Sequence, residues 1–316
     1  MNAQKPLPLY CIDFLEYCEV EKGLTPVTTR NYQRFLKKFF SWLSQNKLDD
    51  ITPADLTEDH IRSYRMWLSR QPNAVRKASH GLDTSTQTRY LIALRVFLSF
   101  FHERGLPCLP TEKIKLPKEK RERKVKFLDF RNIEKLLEAP DTEILAGLRD
   151  RALLETMFST GMRVSELAAL DKKQFSGLGR TQDAEISITG KGGYPRTVYV
   201  SSRALTWIQQ YLKKRDDDEP ALFVRLGGPV SNSQRLGIRG MELLVKKYAV
   251  LAGVPVLATP HTLRHSFATD LLNQGVDLRS VQEFLGHRNI ATTQVYTHVT
   301  NKRLRDIHRQ VHGKRK

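Results

Sequence analysis

The stretch from Leu106 to Lys126 constrains this chain most, because no regular element can run through it. Pro107, Pro110 and Pro117 each remove a backbone donor, and Lys118-Glu119-Lys120-Arg121-Glu122-Arg123-Lys124 follows as an uninterrupted run of charge. Such a run stays in water and separates packed units, and 316 residues suit two domains better than one. The expected organisation is a helical domain over 1–106, a basic linker over 107–126 and a second domain over 127–316. The linker can be a merely solvated connection. Its Lys and Arg residues also suit a strap along a phosphate backbone, with Lys118, Lys120, Arg121, Arg123 and Lys124 as contacts.

The first domain reads as four helices. Leu9, Ile12, Phe14, Leu15 and Val20 supply an apolar face that ends at Gly23. Thr25 caps a second helix and Pro26 opens it, with Tyr32, Phe35, Leu36, Phe39, Trp42 and Leu43 as its stripe. A third, near Glu58 to Arg70, carries Ile61, Tyr64, Trp67 and Leu68. The fourth, from about Ser85 to Arg104, carries Tyr90, Leu91, Leu94, Phe97, Leu98 and Phe101. Rings at helical spacing belong to a core rather than to a base-stacking platform. Gln71 to Asp83 reads as a polar, basic loop.

Helical patterns resume near Phe130, with one interruption. Glu185-Ile186-Ser187-Ile188-Thr189 alternates polar and apolar residues, Gly190-Lys191-Gly192-Gly193 turns, and Arg196-Thr197-Val198-Tyr199-Val200 alternates again. That is a β-hairpin with a Gly-rich tip. Thr259-Pro260 opens a later helix and Gly275 stops it. The expected class is mainly α with a small antiparallel sheet.

Lys and Arg number 52 against 34 Asp and Glu, a net charge of +18 that favours a polyanionic partner. The basic residues are spread along the chain rather than gathered on one amphipathic helix, which points to nucleic acid over a membrane surface. No apolar run approaches the ~18 residues of a membrane span. Met1 to Pro6 begins no secretory signal, so a cytoplasmic location is expected. Cys11, Cys18 and Cys108 form no CxxC pair and fit free thiols in a reducing compartment.

The chemistry-bearing residues gather near the C-terminus: His261-Thr262-Leu263-Arg264-His265, Leu285-Gly286-His287 and Val295-Tyr296-Thr297-His298-Val299. Arg and imidazole suit an anionic oxygen cluster, and a Tyr oxygen can act as a nucleophile. His261 and Arg264, three apart, share a helix face. His261 and His265 also have the spacing of an HExxH zinc pair. Thr262 stands where that motif needs Glu, and Arg264 would repel the cation, so no metal is expected. Gly190-Lys191 is no P-loop, because Glu185 and Gly192 occupy its Gly and Ser/Thr positions. Taken singly, Lys191 reads as a surface lysine, Arg163 and Glu166 as a surface ion pair, and Tyr296 as core.

In chain order, Arg163, Lys191, His261-x-x-Arg264, Leu285-Gly286-His287 and Tyr296 resemble the tyrosine recombinase, or phage integrase, family. Thr160-Gly161-Met162-Arg163-Val164-Ser165-Glu166-Leu167 and Leu285-Gly286-His287, with Tyr296 nine residues on, look like its two signature boxes. The four-helix pattern resembles the family's SAM-like core-binding domain, and residues from about 127 its catalytic domain. Thr292 to Val299 and Arg303 to His308 are similar to the bacterial and archaeal Xer recombinases, although the loop Gln71 to Asp83 looks longer than in the most compact of them.

The resemblance implies metal-free, nucleotide-free strand exchange in double-stranded DNA, without a cofactor. Tyr296 would attack the scissile phosphorus with His261 as general base and Lys191 as the acid that protonates the leaving 5′ oxygen. Arg163 and Arg264 would clamp the non-bridging oxygens, His287 would donate a further hydrogen bond, and Glu166 would orient Arg163. Also implied are a homotetramer or heterotetramer on two dif-like inverted-repeat sites, an exchanged C-terminal helix over about 301–312, and an accessory activator such as a DNA translocase. Resolution of chromosome dimers is the expected task. A mobile-element integrase would share the chemistry, as would a nicking-closing topoisomerase; a non-catalytic architectural DNA-binding protein is the alternative of another class.

Overall fold

The computed structural model describes residues 5–72, 81–117, 127–177, 184–190, 195–227, 234–254 and 258–286, and divides into two compact units, Met1–Glu122 and Arg123–Lys316. The basic run with Lys118, Lys120, Arg121, Arg123 and Lys124 lies outside the described residues.

In the first unit a short turn, Leu7–Tyr10, runs into α1 (Cys11–Glu16), which widens into a π-helical stretch over Tyr17–Glu21. The buried face is Leu7, Tyr10, Phe14, Tyr17 and Cys18, whereas Leu9, Ile12 and Val20 are 63, 69 and 80% exposed. The apolar face expected from sequence is therefore wrong except at Phe14 and the partly buried Leu15. Aromatic rings decide the matter, since each buries more area than an aliphatic side chain. Phe14 packs 5.1 Å from Phe97 and 5.9 Å from Phe100, and Tyr10 5.0 Å from Phe101.

Local caps start the next two helices. Thr25 Oγ1 accepts the Thr28 N–H (3.4 Å) at the start of α2 (Pro26–Gln45). At α3 (Glu58–Arg70), Thr57 Oγ1 accepts the His60 N–H at 3.3 Å and His60 Nδ1 accepts the Thr57 N–H at 3.2 Å, a capping box with His where Glu is usual. Leu36, Phe39, Trp42 and Leu43 of α2, and Ile61, Tyr64 and Leu68 of α3, join the core with Leu91, Leu94, Phe97, Leu98 and Phe101 of α4 (Thr84–Glu103). The chain beyond α4 stays with this unit. Ile114 is fully buried and its carbonyl accepts Arg95 Nε at 2.9 Å and Nη2 at 2.5 Å, while Leu106, Leu109 and Leu116 pack on the core. Residues up to Leu116, read in sequence as linker, thus clad the helical unit, because the leucines between the prolines find an apolar surface. Burial raises the free thiols Cys18 and Cys108 to about 11, which keeps them protonated.

The second unit begins with α5 (Phe130–Glu138), capped where Asp129 Oδ1 accepts the Asn132 N–H at 2.8 Å. Its central rod is α6 (Leu145–Thr160), buried on nearly every side. The charges on that rod are paired: Arg149 Nε donates to Asp150 (2.8 Å), Tyr248 Oη donates to Asp150 (2.7 Å), and Glu155 accepts from Arg151 (3.0 Å) and Arg203 (2.8 Å). After the short α7 (Val164–Ala168), β1 (Ala184–Thr189) and β2 (Pro195–Val200) form the antiparallel hairpin, Ala184 opposite Val200 and Thr189 opposite Pro195. Ala184, Ile186 and Ile188 turn inward. Helices α8 (Ser202–Lys214), α9 (Ile238–Leu251), α10 (Pro260–Gln274) and α11 (Leu278–Leu285) complete the described unit. Among the described residues no helix is long and apolar enough to cross a membrane.

Phe14→Ala should cost about 3–5 kcal/mol, whereas Ile12→Ala should stay within about 0.5 kcal/mol. Urea denaturation of the two variants checks this; equal losses would contradict the buried face assigned to α1.

Candidate active site

Helix α6 ends at Gly161, whose φ of +56° is left-handed and where a Cβ would sit 2.3 Å from Phe267 Cδ1. Only glycine meets both demands. Two residues later Arg163 caps α7. Glu166 folds back on it, with Oε2 accepting the Arg163 backbone N–H at 2.8 Å and Oε1 accepting Arg163 Nη1 at 2.9 Å. The Glu166 side chain is only 3% exposed and that of Arg163 28%, so this is not the surface pair that their spacing alone suggests.

Arg264 reaches the same place from α10. That helix starts where Thr259 Oγ1 accepts the Thr262 N–H at 3.1 Å, with Pro260 in its first turn, and stops at Gly275 with φ +106°. The buried Arg264 guanidinium donates from Nη1 to the Gly161 carbonyl at 2.6 Å and from Nη2 to the Leu285 carbonyl at 2.7 Å. It thereby ties the end of α6 to the end of α11. His261, one turn earlier on α10, is exposed. Burial, then the nearby His261 and Arg264, push the His265 pKa down and keep that imidazole neutral.

The end of α11 is the meeting point. Asp277 Oδ1 caps its start, accepting the N–H groups of Arg279 (2.9 Å) and Ser280 (3.0 Å), and Gly286 ends it with φ +61°. Arg163 Nη2 donates to the Gly286 carbonyl at 3.3 Å, Arg264 Nη2 to Leu285, and Arg196 Nη1 to the Phe284 carbonyl at 2.7 Å. Three guanidinium groups from three elements thus hold three successive carbonyls at the negative end of a helix dipole. Arg196 also donates to Glu166 Oε2 at 2.8 Å. Burial raises the Glu166 carboxyl, but the Arg163 backbone N–H and the side chains of Arg196 and Arg163 together outweigh it and hold the group below its usual value.

Arg163, Glu166 and Arg264 are therefore brought together, with His261 on the same helix as Arg264. Lys191, His287 and Tyr296 lie outside the described residues, as does the C-terminal segment from 301 to 312. Arg196 is the residue that sequence reasoning missed. It sits in an alternating strand, and its partners are a backbone carbonyl and a residue 30 positions away, so no short motif marks it.

The family model for "Phage integrase family" matches residues 126–303, and that for its N-terminal SAM-like domain matches residues 12–105. The chain belongs to the phage integrase family. Tyrosine recombinase XerC of Pelotomaculum thermopropionicum is 36% identical, the match covering 96% of this chain and 98% of that protein. Tyrosine recombinase XerD of Vibrio cholerae is 34% identical, covering 95% and 94%. A crystal structure of XerH site-specific recombinase bound to palindromic difH substrate, a post-cleavage complex, superposes with a TM-score of 0.74 at 22% identity, covering 98% of each chain. The fold of this integrase family member is thus that of a DNA-recombining enzyme, mainly helical with a small antiparallel sheet.

The position of Glu166 carries a pH dependence. Its folded pKa lies below the unfolded value of about 4.3, so it contributes stability above that value and loses it as the pH falls through the folded pKa. Urea midpoints measured for wild type and Glu166→Gln should differ by a constant amount above pH ~5, and the gap should close below pH ~4. A gap that widens in acid would refute the carboxylate assignment.

Proposed function

We propose that this chain performs Xer-type site-specific recombination of double-stranded DNA, cutting and rejoining strands through a 3′-phosphotyrosyl intermediate. It is a tyrosine recombinase, and DNA is its substrate. One observation carries the chemical reading: three guanidinium groups, of Arg163, Arg196 and Arg264, converge on the end of α11 beside the Glu166 carboxylate. That cationic excess suits a phosphodiester, which gains negative charge on the way to its pentacoordinate transition state. Forked guanidinium groups match phosphate oxygens and stay charged at any working pH.

In this reading Arg163 and Arg264 clamp the non-bridging oxygens. Tyr296 forms the new P–O bond, and its proton, released from a group with a pKa of about 10, passes to His261. The P–O5′ bond breaks, and Lys191, from the connection between β1 and β2, protonates the departing 5′ oxygen. His287, next in chain after Gly286, donates to the transition state. Bond energy is kept in the phosphotyrosine, so the reverse attack by a 5′ hydroxyl rejoins the strand without ATP.

Four protomers on two dif-like inverted-repeat sites would supply the four cleavages, as a homotetramer or a heterotetramer. An accessory DNA translocase would act as activator, with resolution of chromosome dimers in the cytoplasm as the task. The basic residues Lys118, Lys120, Arg121, Arg123 and Lys124 would follow the phosphate backbone. Leu304, Ile307 and Val311, at helical spacing, would dock on the neighbouring protomer.

Tyr296→Phe should abolish an SDS-resistant adduct on a nicked suicide substrate while leaving duplex binding nearly unchanged, because one oxygen is lost. An adduct that persists would overturn the nucleophile assignment. Truncation after Thr300 should keep site binding yet lose synaptic tetramers and recombinant product, read by light scattering on paired sites and by a recombination assay. Normal tetramers would favour docking of the tail on its own protomer.

A further inference from the structure

We infer that Arg196 is a positioning residue of this site: it locks the hairpin that carries Lys191 to the Arg163–Glu166 pair and to the end of the helix leading into His287. The inference rests on the recombinase reading above.

Arg196 lies near the turn end of the hairpin, paired with Ile188 across the ladder, one pair in from Thr189 and Pro195, and five residues after Lys191. Its side chain is only 15% exposed. Nη1 donates to the Phe284 carbonyl at 2.7 Å and Nη2 to Glu166 Oε2 at 2.8 Å, so one guanidinium spans β2, α7 and α11. The fit is close on its other side too. A Cβ at Gly286 would lie 2.7 Å from Arg196 Cδ and 2.9 Å from Nε, so the glycine leaves the space that the side chain occupies. A second contact ties the same strand to the same helix, Tyr199 and Phe284 meeting edge to face at 5.8 Å.

Both Nη atoms of Arg196 are engaged by protein acceptors, as are those of Arg163 and Arg264, but Arg196 alone of the three stands on a strand of the hairpin. Its effect runs through what it holds. Glu166 divides its oxygens between the two arginines, Oε1 on the Arg163 side chain and Oε2 on the Arg163 backbone and Arg196. Only a fork reaches both acceptors; a Lys ammonium can keep one. Only five residues, 190–194, connect the strands, and Lys191 is two residues past the end of β1 in the chain. Loosening Arg196 should therefore harm proton delivery to the leaving oxygen more than it harms DNA binding.

The test measures single-turnover covalent capture by wild type, Arg196→Ala and Arg196→Lys on two suicide substrates. One is ordinary DNA and the other carries a 5′-bridging phosphorothiolate, whose thiolate leaves without protonation. Arg196→Ala should bind the site within about threefold of wild type and lose roughly 10²-fold in cleavage of ordinary DNA, the scale of a small misplacement at a catalytic group. The loss should shrink to under about tenfold on the phosphorothiolate, and Arg196→Lys should fall between. Arg196→Ala cleaving ordinary DNA at near wild-type rate would overturn the inference, as would equal losses on both substrates. If Arg196→Ala does not fold, the ratio between substrates for Arg196→Lys decides in the same way. Wild type forming no adduct on either substrate would instead remove the recombinase reading on which the inference stands.

Discussion

The C-terminal end of α11 leaves its carbonyls without helical partners, and three arginines supply them. Each comes from a different element: Arg163 from the start of α7, Arg196 from β2, Arg264 from α10. The cluster therefore exists only when all of these are packed, and it reports the fold of the whole second unit. Like charges at such close quarters repel, and a half-buried cation is costly unless its donors are used. The helix dipole, the carbonyls and Glu166 offset that cost in part. In the proposed function a phosphate bound there would offset it further.

Much of the frame was legible because its signals are local. Thr25 and Thr259 cap their helices from one side chain each, and the alternation over 185–189 and 196–200 is a period of two that only a strand uses. What failed was the choice between two apolar faces on one short helix. Leu9, Ile12 and Val20 are as hydrophobic as the buried set, but Tyr10, Phe14 and Tyr17 meet Phe97, Phe100 and Phe101 on α4, and long-range partners are invisible to periodicity. Residues 107–116 were misplaced for a related reason: prolines mark a break in helix, not an exit from the core.

The candidate site divides in the same way. Arg163, Glu166 and Arg264 were legible as members of an ordered set, and their convergence gives that order a physical meaning. Arg196 was not, since one of the groups that hold it is a backbone carbonyl and the other lies 30 positions away. A carbonyl belongs to every residue and leaves no trace in the sequence. Where a side chain's role is to grip main chain, only coordinates can disclose it, and the same holds for the close approach of Phe267 to Gly161 and of Arg196 to Gly286, which adds to the left-handed φ of each glycine.

Charge works on two length scales in this protein. The net +18 is spread along the chain, and the pull of solvent-facing charge on DNA is screened beyond about 10 Å at 0.1 M salt. The cluster at α11 is enclosed, with Arg264 and Glu166 buried, and mobile ions screen such groups far less. Affinity for the duplex should accordingly fall steeply as salt rises, while the rate of the bound complex changes little. In the proposed function the surface charge would concentrate DNA, and the enclosed arginines, held by main-chain carbonyls, would act on one phosphate once it has arrived.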